Sequence, residues 1–390
     1  MSGLTHPPAR TVADRIGAFV LRVAPWAGLA AVTALWARDR RARPRGGLSE
    51  DEIARPEHFE AEEPGRGRLA PAPVRMPLTA WRDILWRTWL EVNADKLPTV
   101  AAGVTFYSLL AIFPAVGAFV SLYGLFADVG AVREQLNDLA AFVPREVLKL
   151  VGDQMMQLAS RENAGLSLAL GLSVLLSLWT ANAGIAALFE GLNVAYDETE
   201  KRNFMVRRVT SYAFTAALVL FATVVTAVLV AVPIYLRQLG LIDTWLAPFR
   251  WVVLTALAAS AFAVLYRFGP SREQARWRWV RPGAAFAAVA WIGGSLGFSW
   301  YVNHVAHYDA TYGSLGAAVG FMMWIWFSVM VVLIGAELNA EIEHQTALDS
   351  TTGAPLPMGA RGAVMADSVG QPFMGVRKLW SDLEAKLGRR

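Results

Sequence analysis

Glu337 and Glu341 stand four residues apart with Asn339 between them, so a helix there puts two carboxylates on one face. Within an apolar segment such a pair can bind a cation or relay protons, whereas at the headgroup level it simply ends the helix. His304 and His307, spaced i, i+3 with Asp309 nearby, form the one candidate metal cluster in the sequence. Zinc takes three or four ligands with an oriented second shell, so this set reads instead as a solvated helix end. No metal or other cofactor is expected. The chain has no HExxH and no P-loop, and its lack of cysteine excludes thiolate sites and Cys nucleophiles. No catalytic residue is expected either.

The informative polar residues lie inside apolar sequence, where burial makes them costly. Tyr107 and Ser108 precede Pro114, which sits where a helix would be at mid-length and suggests a kinked or broken span. Asn182 stands within a later apolar run, and Glu190 and Asn193 mark its end. Arg202 and Arg207 follow in the next loop, where they suit contact with anionic headgroups.

The elements that hold these residues follow from the charge distribution. Of 390 residues, 55% are hydrophobic and 17% charged, with a mean hydropathy of +0.37. Soluble globular chains carry about 25% charge, so both a soluble enzyme and a disordered chain are excluded. Stretches free of Asp, Glu, Lys and Arg cover 97–127, 163–189, 209–236, 251–266, 282–308 and 310–336. About 20 apolar residues cross the hydrocarbon core as a helix. Five runs pass outright, and Arg250 and Arg267 can snorkel from the ends of the short one at 251–266. The fold class is therefore all-α, a polytopic transmembrane bundle of six core spans. Counted by loop, Lys and Arg number 27 on one side of these spans and 6 on the other. By the positive-inside rule, residues 38–96 and the C-terminus face the cytoplasm. The net charge of +4 then needs no nucleic acid to explain it.

Three regions divide the chain: an N-terminal arm over 1–77, the membrane domain over 78–345 and a cytoplasmic tail over 346–390. The apolar segment within 16–37, about 22 Å long over residues 23–37, reads as a seventh, tilted span. An interfacial helix and a cleaved signal are its other readings. Residues 38–77 are rich in Arg, Pro, Glu and Gly without apolar periodicity, which predicts a disordered linker. Trp81, Leu85, Trp86, Trp89 and Leu90 recur at helical spacing, which predicts an amphipathic interfacial helix over 78–97. Two short amphipathic helices divided by Pro144 are expected in the loop after the first span, and another over 373–387.

Three separated motifs add a resemblance. The stretch from Ala101 to Pro114, AAGVTFYSLLAIFP, resembles the first-span signature of the YihY/BrkB family of bacterial inner-membrane proteins. Trp179, then Gly191-Leu192-Asn193-Val194-Ala195-Tyr196 with Arg202-Asn203-Phe204 and Arg207, is similar to its second-span ending. Tyr312-Gly313-Ser314-Leu315-Gly316, Trp324 and Gly335-Ala336-Glu337-Leu338-Asn339-Ala340 look like its last span. The resemblance implies a multi-span protein of the bacterial inner membrane without an agreed molecular activity. Its associations are with virulence, with export of lipid or lipopolysaccharide precursors, and with a ribonuclease BN label that fits this chain poorly.

The expected role is handling or transport of a lipid or other envelope amphiphile, not catalysis. Tyr107, Ser108, Pro114, Asn182, Asn193 and Glu337 are the candidates for a substrate path, and Arg202 and Arg207 for headgroup contact. A membrane scaffold is the alternative, and a ribonuclease ranks last. The expected partners are membrane lipids and envelope-transport proteins, not nucleic acid. The charge asymmetry makes a direct prediction: alkaline phosphatase fused after residue 390 stays inactive, while a fluorescent protein fused there folds. An active phosphatase would reverse the orientation.

Overall fold

Backbone groups in hydrocarbon must satisfy one another, and the described parts of the charge-free runs are accordingly helical. A computed structural model describes residues 56–126, 179–180, 182–226, 246–304 and 316–373. Its α-helices are α1 (Pro56–Glu62), α2 (Leu78–Ala94), α3 (Leu97–Phe126), α4 (182–195), α5 (Phe204–Thr226), α6 (Leu246–Phe268), α7 (Trp277–His304) and α8 (Gly316–His344). The described residues contain no strand, only one antiparallel bridge between Ala275 and Thr351. Among them, Trp251–Phe268, Trp277–Val302 and Ala318–His344 are long and apolar enough to cross a membrane. The short run at 251–266 is completed by α6, which extends past both arginines. The backbone of α3 stays helical through Pro114, so this helix is not broken there. The apolar segment at 16–37, the loop at 128–162, His307, Asp309 and residues 374–387 lie outside the described residues.

α8 is the axis of the packing, touching α2, α3 and α7, and α7 in turn packs on α6. Gly283 of α7 and Gly335 of α8 let the two backbones meet: a Cβ on either would strike the carbonyl oxygen of the other. Pro282 interrupts the hydrogen-bond ladder in the second turn of α7. Asn339 repairs it from the neighbouring helix. Its Oδ1 accepts from the Gly283 N–H at 2.8 Å and its Nδ2 donates to Val280 O at 3.0 Å. The Tyr266 hydroxyl of α6 donates to Val332 O of α8 at 2.8 Å. The outward faces are apolar, with Val252, Val289, Leu296 and Trp300 all exposed, as expected where lipid is the solvent.

Two expectations about the ends are corrected. Residues 56–77 are not a structureless linker but fold against the last turn of α8 and the chain beyond it. Arg68, 1% exposed, donates to Glu63 Oε2, to Gln345 O at 3.1 Å and to Gly370 O at 2.7 Å. Arg361 likewise donates to Ala347 O and Ala366 O, so residues 346–373 close onto the same cap. Ala70, Met76 and Met365 add a small apolar contact, and these arginines satisfy the backbone carbonyls around it, which leaves little hydrophobic period in the sequence. α2 is amphipathic as expected, but its polar side faces inward. Asp83, Arg87 and Thr88 are buried, while Leu78, Leu85, Trp89 and Leu90 are exposed. Lys96, in the left-handed region at φ 52°, then turns the chain from α2 into α3.

Replacing Asn339 by Leu leaves the Gly283 N–H without its acceptor. The variant is expected to lose about 1–3 kcal/mol of stability, read as a lower thermal midpoint in detergent. An unchanged midpoint would remove Asn339 from its stitching role.

Candidate functional site

An open groove of about 460 Å³ lies where α3, α4 and α5 meet. Its size is within the range of small-molecule sites. Leu110 and the small residues Ala183, Ala186 and Ala187 make its apolar wall. Tyr107 projects into it from α3, 44% exposed. Glu190, Arg207 and Arg208 make its charged end. The helical rise from Asn182 to Glu190 sets an apolar length of about 12 Å.

Local chemistry fixes these walls. α3 and α4 approach closely because Gly184 has no side chain: a Cβ there would meet Ser108 Oγ at 3.3 Å. Asn182 is buried beneath the groove, and its Oδ1 accepts the Ser211 hydroxyl of α5 at 2.5 Å. Asn203 caps α5, its Oδ1 accepting the Val206 N–H at 2.8 Å. That cap sets the first turn of α5, which carries Arg207 and Arg208. Arg207 pairs with Glu190 across the groove end. Arg208 is exposed, with its guanidinium 5.3 Å from the centre of the Phe204 ring. The groove is thus an apolar trough with one end able to hold an anion.

The other candidate residues go elsewhere. Asn193 is a tether: its Oδ1 accepts the Ser271 N–H at 2.7 Å, holding the α6–α7 loop to the end of α4. Arg202 donates from Nε and Nη2 to Glu200 at 2.8 and 2.9 Å and to Gly269 O at 2.9 Å. Its fork is filled by the chain itself, so among the arginines of this loop only Arg207 and Arg208 line the groove. Burial would raise the Glu200 carboxyl, but the hydrogen bonds and charge of Arg202 outweigh it and hold the group at about 2. Pro114 is placed only as part of the α3 backbone.

Glu337 and Glu341 lie in the last two turns of α8 but are sealed inside the protein. Each is 1% exposed, and α8 continues to His344. Glu341 forms an ion pair with Arg87 of α2, which also donates to Gln345 Oε1 at 2.7 Å and Gln371 O at 2.9 Å. Glu343 accepts from Arg272 at 2.6 Å and from Ser350 at 2.7 Å. Beside them, at the α2–α3 turn, burial and the nearby charges of Asp197 and Glu91 push Asp95 up to about 6. At the other end of α7, His304 stacks on Trp300 and its Nδ1 meets Trp300 O at 2.9 Å. Among the described residues no group of three His, Asp or Glu is placed to hold a metal ion.

Sequence reasoning did not place Arg208 or the alanine wall at the site. The spacing of Ala183, Ala186 and Ala187 at i, i+3, i+4 was the available signal for a close or concave helix face. Gly293-Gly294-Ser295-Leu296-Gly297 has the GxSxG spacing of a nucleophile elbow. It lies inside α7, however, where Ser295 Oγ accepts the Trp324 indole N–H at 3.2 Å, and no strand-to-helix turn presents it.

Comparison with known proteins places this geometry in context. A family model described as Virulence factor BrkB matches residues 88–357, a stretch that includes all three motifs and the groove. The chain is 31% identical over 264 residues to the ribonuclease-like protein YfkH of Bacillus subtilis, covering 64% of this chain and 90% of that protein. It is 28% identical over 273 residues to a UPF0761 membrane protein of Aromatoleum aromaticum, covering 68% of this chain and 65% of that relative. A UPF0761 membrane protein of Vibrio vulnificus is 26% identical over 288 residues, covering 70% of this chain and 87% of its own. No solved structure matches.

The raised Asp95 gives a pH dependence. Unfolded aspartate titrates at about 3.9, and Asp95 in the fold at about 6. Between these values the folded state binds more protons, so this group's contribution to stability falls as pH rises, and above about 6 its charge is a standing penalty. Asp95→Asn is therefore expected to raise the thermal midpoint at about pH 8 and leave it unchanged at about pH 3. The opposite order would show that Asp95 is stabilised as an anion.

Proposed function

The chain belongs to the virulence factor BrkB family of membrane proteins, and on that premise we propose that it handles or transports a lipid or other envelope amphiphile. It does so as a six-span protein of the bacterial inner membrane, not as an enzyme. The observation that carries this reading is the groove: an apolar trough ending in Arg207 and Arg208. Its chemistry suits an anionic headgroup at the arginine end and an acyl chain along the alanine wall. Tyr107 and Asn182 border the same path, Ser108 packs at the α3–α4 contact beside Gly184, and Glu190 gives Arg207 a partner that an incoming anion would displace.

Loop charge supports an orientation with the arginine end toward the cytoplasm, since residues 38–96 and the C-terminus belong to the basic side. Envelope-transport proteins are then the natural partners for what the groove releases. RNA is poorly served by this surface. Arg66, Arg68, Arg87, Arg202, Arg272 and Arg361 are engaged by carboxylates or carbonyls of the chain itself. The alternative is a scaffold whose groove receives a helix of another membrane protein.

Purified full-length protein in liposomes is expected to move a fluorescent anionic phospholipid between leaflets. Removing both Arg207 and Arg208 as alanines should slow this by about 10-fold or more, the worth of one lost charge-assisted hydrogen bond. No movement by the wild type, together with a stable protein partner seated over Tyr107 and Ala187, would favour the scaffold.

A further inference from the structure

Three carboxylates follow one another at the buried end of α8, and two of them have dedicated cations. Glu341 has Arg87, and Glu343 has Arg272. Glu337 differs: it is 1% exposed, and neither carboxyl oxygen has a hydrogen-bond partner among the described residues. It does not line the groove, so the proposed amphiphile path does not use it.

The groups that face Glu337 deepen the contrast. Glu341 lies on its own helix, Glu91 on α2, Asp95 at the α2–α3 turn and Asp197 just beyond α4, all of them acidic. Tyr196, also buried, feels its charge. The nearby cations are engaged: Arg87 by Glu341, Gln345 and Gln371, and Arg272 by Glu343, while His344 sits beside Glu341. Arg278 and Arg281 of α7 are exposed on its other side. A bare carboxylate sealed among like charges, without a donor, is not sustained in an apolar interior and must take up a compensating positive charge. A metal ion does not suit the place, since among the described residues no three His, Asp or Glu converge to hold one.

We propose that Glu337 is a proton-binding site of the membrane domain, loaded from the capped end of the bundle. The step is a plain proton transfer: hydronium gives its proton to the Glu337 carboxylate and leaves water. Glu91 and Asp95, partly exposed carboxylates whose charges act on Glu337, are the groups that pass the proton. Loss of the proton places a negative charge one turn from Glu341 and opposite Glu91 and Asp95. The contact between α2 and α8 is therefore the element that responds.

The test is acid-minus-base infrared difference spectroscopy on the full-length chain in phosphatidylcholine liposomes, with choline as the buffer cation. The wild type should show the carbonyl band of a buried protonated carboxyl. Glu337→Gln should lose it, Glu57→Gln on exposed α1 should keep it, and replacing choline by sodium should not change it. Glu337→Gln, a neutral isostere of the protonated group, should also fold with an unchanged or higher thermal midpoint. The proposal is overturned if the band is absent, survives in Glu337→Gln or is displaced by sodium. Failure of Glu337→Gln to fold overturns it as well, since the fold would then require the anion. None of these outcomes bears on whether lipid occupies the groove.

Discussion

The fold has to neutralise Glu341 and Glu343 where α8 leaves the apolar core. Removing one partner of a buried ion pair typically costs about 3–5 kcal/mol, because the other charge is left stranded. Arg87 meets Glu341 from α2, and Arg272 meets Glu343 from the α6–α7 loop. That single demand brings an N-terminal helix, an internal loop and the end of the last span to one place. Arg87 also donates to Gln371 O, and Asp83 one turn earlier accepts the Phe373 N–H. The chain beyond α8 is thereby strapped over the same end, where Phe373 meets Trp86 edge-on and lies beneath Arg82. Parts of the molecule outside the family-matched region, residues 56–87 and 358–373, thus complete an end that the matched region leaves charged.

Polar groups in the bundle therefore do two kinds of work. Asn339, Tyr266 and Asn193 spend their hydrogen bonds on backbone groups of neighbouring elements and hold helices in register. Tyr107, Arg207 and Arg208 instead border an open groove. The helix motif around Gly335 makes structural sense in these terms, because a glycine for close approach and an asparagine one turn later both serve the crossing with α7. Glu337 lies between them, on the same helix but without a hydrogen-bond partner among the described residues.

Much of this was legible in the sequence, and the rest was hidden for definite reasons. Charge-free runs located α3, α6, α7 and α8, because helices in hydrocarbon need length and little else. Tyr107, Asn182 and Arg207, three polar residues chosen for standing in or beside apolar runs, do meet at one groove. The pairing of Arg202 with Glu200, only two residues away, is not readable from the sequence, since nothing in the spacing says that the pair closes on itself. The facing of α2 could not be read, since an apolar stripe serves lipid as well as a protein core. The order in 56–77 was invisible because arginine-to-carbonyl bonds leave no period.

The groove is what joins structure to function, and its occupant can be caught directly. A photo-crosslinking amino acid at Ala187, in the apolar wall, should capture a phospholipid from membranes, and the same group at Glu57 should not. Substituting Arg207 and Arg208 should sharply reduce the capture at Ala187. If Ala187 instead cross-links to a protein helix, or captures lipid equally with and without the two arginines, the groove is not a headgroup-selecting site.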